Sequence, residues 1–519
     1  MAVGKNFLEN LTVAMYENPL TVYREFIQNA ADSIDKAVST GLIEKEDAVI
    51  DINIEYSKRR ISVYDNACGI PMREFKKKML DVADSDKDRD KEKGFRGIGR
   101  LAGLGYCDKL VFRTSVKGED KESKISWDGV LLKEIVNDPA QHPTSDELIN
   151  MITSIEYAPA EKEDHFFEVV MEDIIFESDD LLEEEQVKHY LRSVAPVPYA
   201  NFFVFSAKIH EFARKNGFTI DEYTVLVNGN QIFKPYKTML YEGSKDSKKA
   251  YDEINDVEFR VFQSDDGTPI AWLWYGIAKY EKNIPVVNEM RCIRLRKENI
   301  QIGDEDTIGC PKFFKESRGN GYFIGEVFAV DKNLIPNARR DYFNPNPATQ
   351  QFERLLYYFF HNELYDLYHY ASKVRSAQKA ISAFQEKEES FQEKLDNAGF
   401  IDAEEIEAAE KEIEEEREKV AKAQREIDNR RKDADSNAIL DRVFNAIEDT
   451  YKRPDENKKK TESESTNENK QKKYMTQNLS KYNKSQQKLI ARIYNIIKMV
   501  LPKDMAEIVI QKIQEELSK

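Results

Sequence analysis

Cysteine is scarce in this chain. Cys68, Cys107, Cys292 and Cys310 are scattered over 519 positions. None forms a CxxC pair, and no histidine stands beside them at metal-ligand spacing. That excludes a disulfide framework and a zinc site, and it points to a reducing compartment. No apolar run reaches the ~18 residues that a membrane-spanning helix needs, so no membrane contact is expected. The opening Met-Ala-Val-Gly-Lys-Asn-Phe lacks the form of a signal peptide, and a cytoplasmic location is the expectation. A basic surface is also missing. The net charge is −17, which argues against a protein coated for nucleic acid but leaves room for a local basic groove.

What is present is enough for several domains. Hydrophobic residues make up 40% and aromatics 11% of the chain. Residues 5–18 have a helical pattern, and a second helix follows from Tyr23 to Lys36. On it Glu25, Asn29 and Asp32 fall at i, i+4 and i+7, on one face. Phe26, Ala30, Ile34 and Ala37 form an apolar stripe. Alone, this is an ordinary amphipathic surface helix. Residues 48–64 then alternate as a two-strand hairpin and run directly into Asp65-Asn-Ala-Cys-Gly-Ile-Pro71. A carboxylate at the end of an apolar strand, followed by a glycine turn, holds one acceptor rigidly in a pocket. The plainer alternative is a simple Asp-Asn turn.

Residues 72–93 are densely charged and suit a solvated loop. They lead into Gly94-Phe-Arg-Gly-Ile-Gly-Arg-Leu-Ala-Gly-Leu-Gly105. Glycines at 94, 97 and 99 let backbone N–H groups converge on a phosphate. A lone GxxGxG is equally a flexible loop closing on a helix. Strands are expected at 109–115, 123–127 and 166–171.

In this order, the parts resemble the ATP-binding domain shared by gyrase, the heat-shock 90 chaperones, histidine kinases and MutL, the GHKL superfamily. The likeness is nearest to the heat-shock (HtpG-like) branch. Arg24-Glu25-Phe-Ile-Gln-Asn29-Ala-Ala-Asp32-Ser-Ile-Asp-Lys36 is similar to that branch's Arg-Glu-Leu-Ile-Ser-Asn-Ala-Ser-Asp-Ala-Leu-Asp-Lys. Gly94-Phe-Arg-Gly-Ile-Gly99 with Asp108-Lys109 is similar to its Gly-Gln-Phe-Gly-Val-Gly and Asp-Lys, and its Phe-Arg wording is also MutL-like. The implied fold class is α+β. A GHKL (Bergerat) α/β sandwich would span 1–195, and an α/β transducer domain, of the ribosomal-protein-S5 domain 2 type, 196–345. Long helices over 346–435 would form a helical hairpin or coiled coil. A short helix and charged linker (436–473) and a small helical segment (474–519) would follow.

The resemblance implies ATP and Mg²⁺ as cofactors, with a role for each matching residue. Glu25 is the general base that activates water. Asn29 gives an oxygen to Mg²⁺, Asp32 supports the pocket wall, and Asp65 accepts from the adenine amino group. Gly69, beside Ile70, lets the backbone pass close to the ring. Gly94, Phe95, Gly97, Ile98 and Gly99 belong to the loop that wraps the triphosphate, with Lys93, Arg96 and Arg100 available to neutralise its charge. Two departures stand out. The family has glycine where this chain has Ala67. The family's later Gly-Thr pair is absent from Asp164-His-Phe-Phe-Glu-Val-Val, so no residue takes the threonine's part.

Further on, Asn333-Leu-Ile-Pro-Asn-Ala-Arg-Arg-Asp341 resembles the heat-shock branch's Asp-Leu-Pro-Leu-Asn-Ile-Ser-Arg-Glu. By that alignment Arg340 senses the γ-phosphate, with Arg339 the second choice. Arg291, Arg294, Arg296 and Lys297 line a basic groove or, more in keeping with an acid-rich chain, form ion pairs. Ile406, Ile413, Val420 and Ile427 are spaced at seven with a weak partner seam, which favours a helical hairpin over a parallel coiled coil. The functional expectation is an ATP-hydrolysing, heat-shock-90-like machine. It would dimerise through ATP-driven lid closure and act on a protein client or partner subunit. The alternative is a MutL- or MORC-like nucleic-acid clamp, in DNA surveillance or antiviral defence.

Overall fold

The computed structural model describes residues 18–81, 99–397, 399–452, 474, 475, 477, 479 and 481–518. The helix expected over 5–18 lies, but for its last residue, outside the described residues. So do residues 93–98 of the glycine loop and the charged linker. The contacts divide the chain into two units, one running to Tyr365 without 279–281 and the other made of 279–281 and 366 onward.

Helix α1 (Thr21–Ser39) organises the first sheet. Its Phe26, Ile27, Ala30, Ala31, Ile34 and Ala37 are buried, as the apolar stripe requires. It stops at Gly41, whose φ of 69° allows Leu42 N to reach Ala37 O at 2.9 Å, a glycine-terminated cap. Strands β1 (Val49–Glu55) and β2 (Arg60–Asp65) form the expected antiparallel hairpin. Helix α2 (Met72–Leu80) follows. The first part of the charged stretch expected to be a loop, Met72–Leu80, is thus helical, because Phe75 and Met79 stand one turn apart and are both buried.

Strands β3 (Cys107–Ser115), β4 (Lys121–Asp128), β5 (Thr153–Pro159) and β6 (Phe166–Ile174) complete most of the sheet. Between β4 and β5 lie α3 (Gly129–Asn137) and α4 (Ser145–Ile152), and α5 (Glu184–Val194) follows β6. The sheet order is β5-β4-β3-β6-β2-β1-β7-β8. Its last two strands, β7 (Thr224–Val227) and β8 (Asn230–Gln231), lie beyond residue 195, and β7 pairs parallel with β1. The sheet therefore continues past the expected end of the ATP-binding domain. One face is apolar, with Ile50, Ile52, Leu110, Phe112, Ile125 and Trp127 buried. The other carries cross-strand ion pairs, including Arg113 to Glu122 and Glu168, both at 2.8 Å.

Helix α6 (Ser206–Lys215) lies between α5 and β7. A hairpin of β9 (Met239–Ser244) and β10 (Ser247–Glu253) precedes the second sheet. That sheet contains β11 (Asp256–Gln263), β12 (Pro269–Ile277), β13 (Cys292–Lys297), β14 (Ile300–Ile302) and β15 (Ile324–Ala329), in the order β11-β12-β15-β13-β14. β13 and β15 are buried along their whole length, the mark of a sheet covered on both faces. Arg296, Lys234 and Glu326 are buried together in it. Glu326 is held by Lys234 at 2.9 Å and by Arg296, and it also accepts from Tyr199 Oη and from Trp274 Nε1 at 3.2 Å. Arg294 donates to Gln301 at 3.1 Å. Among the described residues, Arg294 and Arg296 thus face internal partners rather than a basic groove. Helix α7 (Pro347–Tyr358), N-capped by Asn346, packs on this sheet.

The second unit is helical. Helices α8 (Tyr365–Asp396) and α9 (Ala403–Asp435) are joined by ion pairs. Lys387 meets Glu412 and Glu416 at 3.3 and 2.6 Å, and Arg417 meets Glu388 at 3.0 Å. The two helices form a hairpin within one chain. Asp402 caps α9 through Glu405 N at 2.9 Å, while the Glu405 carboxylate reaches back to Ile401 N at 2.6 Å. Helix α10 (Ala438–Tyr451) follows. A final pair, α11 (Lys484–Val500) and α12 (Lys503–Ser518), shares a small core with Met475, Leu479, Ala491 and Tyr494. No helix among the described residues is long and apolar enough to cross a membrane.

Candidate functional site

Three elements of the first unit meet over the polar face of α1. The first is α1 itself. Glu25 is half-buried and held by the neighbouring Arg24, whose Nε and Nη2 lie 3.2 and 3.0 Å from Glu25 Oε1. Asn29 is half-buried and Asp32 buried on the same face. Further round, Tyr223 Oη donates to Asp35 at 2.7 Å, which ties the helix to the start of β7.

The second element is the end of β2 and the turn after it. Asp65 is 3% exposed. Its Oδ1 accepts from Ala67 N at 3.1 Å, and Ser33 on α1 also hydrogen-bonds to it. Burial nonetheless pushes its carboxyl up to about 8, outweighing the lowering by Ala67 and Ser33. A buried carboxyl of this kind favours a donor from a ligand, because a donor stabilises the ionised form that burial penalises. Gly69 has φ +65°, and a Cβ there would lie 2.0 Å from Ser115 O. Glycine is required both by conformation and by the close approach to β3. Ala67 is buried and does not take a left-handed conformation, so alanine fits where the family has glycine.

The turn is fastened by Thr114 on β3. Its Oγ1 accepts from Ile70 N at 2.9 Å and donates to Phe166 O at 2.8 Å. Thr114 and Asp65 both lie opposite Phe167 on β6. A hydroxyl thus stands beside the Asp65 turn, delivered by a neighbouring strand instead of β6. His165 Nδ1 lies 3.1 Å from Ala67 O on the other side. Thr114 and Ser33 were missed in the sequence. For Thr114 the available signal was its place near the end of the strand expected over 109–115.

The third element is the described end of the glycine loop, a 3₁₀ turn over Gly99–Gly105. A Cβ on Gly99 would lie 2.5 Å from Glu25 Oε2. The loop therefore leaves Gly99 pressed against the Glu25 carboxylate. Arg100 turns the other way and donates to Asp81 O at the end of α2. Lys93, Gly94, Phe95, Arg96, Gly97 and Ile98 lie outside the described residues.

A loop of the second sheet reaches this face as well. Arg24 Nη2 donates to Arg339 O at 3.2 Å. Arg340 is buried with φ +55°, and its carbonyl accepts from Gly303 N at 2.8 Å. Burial lowers its guanidinium below the ordinary arginine range, and Glu25 is the strongest influence raising it again, ahead of Glu298 and Asp32. Arg340 thus lies within the field of Glu25, whereas Arg339 is exposed. No cluster of three His, Cys, Asp or Glu side chains able to hold a metal occurs among the described residues.

Comparison with known proteins places this geometry. Residues 17–157 match the histidine kinase-, DNA gyrase B-, and HSP90-like ATPases. The chaperone protein HtpG of Clostridium perfringens is 28% identical over 145 residues, covering 25% of this chain and 23% of that protein. The chaperone protein HtpG of Hydrogenovibrio crunogenus is 27% identical over 133 residues, or 22% and 21%. The chaperone protein HtpG of Nocardia farcinica is 24% identical over 280 residues, or 49% and 38%. The chain thus matches well under half the length of each of these relatives. Residues 17–157 are thus similar to the histidine kinase-, DNA gyrase B-, and HSP90-like ATPases, and the chain is similar at low identity to the HtpG chaperones.

Proposed function

We propose that the chain binds and hydrolyses ATP and uses the cycle as a heat-shock-90-like conformational machine, working as a homodimer on a protein client in the cytoplasm. The observation that carries this reading is the junction at Glu25. Its carboxylate is oriented by Arg24, packed by Gly99, and placed in the field of Arg340 from the second sheet. One carboxylate thus meets the loop that would follow the phosphates and acts electrostatically on the arginine that would report on them. In this reading Glu25 takes the proton of the attacking water. Arg340 answers the γ-phosphate charge, and Asp65 selects adenine through its amino group. Gly69 and Ile70 lie along the base, and Asp32 supports the wall.

Asn29 would hold Mg²⁺. A single amide oxygen suits this ion, which keeps several waters and takes its other ligands from phosphates, so an all-protein cluster is not required. The metal would neutralise phosphate charge.

The test is Glu25→Ala. ATP turnover should fall by about 10²–10⁴-fold while nucleotide binding persists. Turnover that survives the substitution overturns the role given to Glu25.

A further inference from the structure

A cavity of about 360 Å³ lies on the second-sheet side of Arg340. Its walls come from the loop at 217–221, the β13–β14 turn at 297–299, the end of β15 and residues 332–336. Lys297, Lys332 and Arg340 line it together with Asp221 and Glu298.

Lys297 is the unusual group. It is 8% exposed, and its Nζ donates to the Asp331 carbonyl at 2.8 Å. Among the described residues no carboxylate comes within ion-pair range of it, in a chain otherwise rich in such pairs. Burial lowers its ammonium most, the Glu298 and Asp331 carboxylates raise it from beyond contact distance, and Arg340 lowers it. A buried ammonium with no anion in contact is costly. Its position is also fixed. Glu298 and Asn299 have φ of 53° and 58°, the two left-handed residues of a tight hairpin turn, so Lys297 has little freedom to swing out to solvent. Beside it Asn299 is 1% exposed. Its Nδ2 donates to Asp221 O at 2.5 Å, while its Oδ1 has no hydrogen-bond partner.

Lys297, whose ammonium touches no carboxylate, offers this wall of the cavity to an oxyanion, with the Arg340 guanidinium beside it. Asp221 and Glu298 line the same cavity and would accept from hydroxyl donors on the same molecule. The volume is at the small end of ligand pockets. We propose that this cavity binds a small phosphomonoester bearing hydroxyl groups, with its phosphate between Lys297 and Arg340 and its hydroxyls toward Asp221 and Glu298. Binding there does not depend on the ATPase reading. Arg340 is the residue common to both, so occupancy of the cavity would compete for the guanidinium that faces Glu25.

Isothermal titration of the full chain without nucleotide tests this, with ribose 5-phosphate, inorganic phosphate and ribose as probes. Ribose 5-phosphate should bind at least about tenfold more tightly than either fragment. Lys297→Met should weaken it by about tenfold or more and leave ATP affinity unchanged, whereas Asp65→Asn should weaken ATP and leave ribose 5-phosphate unchanged. Asn299→Gly, which tolerates the left-handed turn, should weaken ribose 5-phosphate as a second variant. No binding of ribose 5-phosphate by the folded wild type at ~10 mM overturns the proposal, as does equal binding by Lys297→Met. A parallel loss of ATP affinity in Lys297→Met also overturns it, because the cavity would then be part of the nucleotide site.

Discussion

Arg24 and Glu25 are consecutive on α1, yet two guanidinium nitrogens of Arg24 reach the same oxygen of Glu25. Consecutive helix residues do not normally face each other. Arg24 curls round the helix to do so, and its Nη2 also donates to Arg339 O in the loop that follows the second sheet. The carboxylate is thereby aligned through a fork that is itself anchored in another part of the unit. Arg24→Ala should lower ATP turnover by about tenfold or more with little change in nucleotide affinity. Arg24→Lys should not restore it, because a point ammonium cannot replace the fork. Steady-state kinetics beside equilibrium nucleotide binding separates the two effects, and unchanged turnover in Arg24→Ala would remove the alignment role.

In the proposed site, Asp65 should make nucleotide binding pH-linked. Its carboxyl titrates at about 8 in the fold and near 3.9 in an unfolded chain. Between those values the folded state holds the extra proton. The stability tied to that proton is complete below about pH 4 and is lost as pH rises through about 8. An adenine amino group donates to the ionised carboxylate, so binding ATP at pH 7 should release up to about one proton. Titration calorimetry in buffers of different ionisation heat measures this. Asp65→Asn should abolish the release, and buffer-independent heats in the wild type would contradict the assignment.

Gly69 and Gly118 form a matched pair of tests. Both have positive φ, but a Cβ on Gly69 meets Ser115 O at 2.0 Å whereas one on Gly118 meets open space. Gly118→Ala should cost about 1 kcal/mol through conformation alone. Gly69→Ala adds a backbone clash and should cost about 2–4 kcal/mol. Thermal denaturation of the two variants compares them directly. Equal costs would mean that the strand ends give way easily.

The buried ion cluster in the second sheet should respond asymmetrically. Glu326→Gln leaves Lys234 and Arg296 buried without their anion and should cost about 3–5 kcal/mol. Lys234→Met removes one of two cations from a single carboxylate and should cost much less. Chemical denaturation gives both values, and similar losses would show that Lys234 is as necessary as Glu326.

The local parts of the site were legible because each rests on short-range spacing. Glu25, Asn29 and Asp32 share a face through the helical repeat, and Asp65 with Gly69 sits at a strand end that alternation predicts. Thr114 was not legible, because its closeness to Asp65 comes from β3 and β2 both flanking β6, a pairing that no local pattern encodes. The same holds for β7, which returns across more than 150 residues to lie beside β1. Helix α2 was hidden by its charge, since Phe75 and Met79 alone mark the buried side. Arg294 and Arg296 look alike in sequence, but Arg296 is fully buried on Glu326 while Arg294 is held by Gln301.

The parallel pairing of β1 with β7 sets the smallest piece of this chain that should behave as a folded body. A fragment cut at residue 195 would lose that partner and bare the edge of β1 over Val49–Ile52. This strand alternates between buried and less buried side chains and carries three isoleucines, the kind of open edge on which chains aggregate. Extending the fragment through β8 would close the edge with the short, polar Asn230–Gln231 strand, which is a poor template for further pairing.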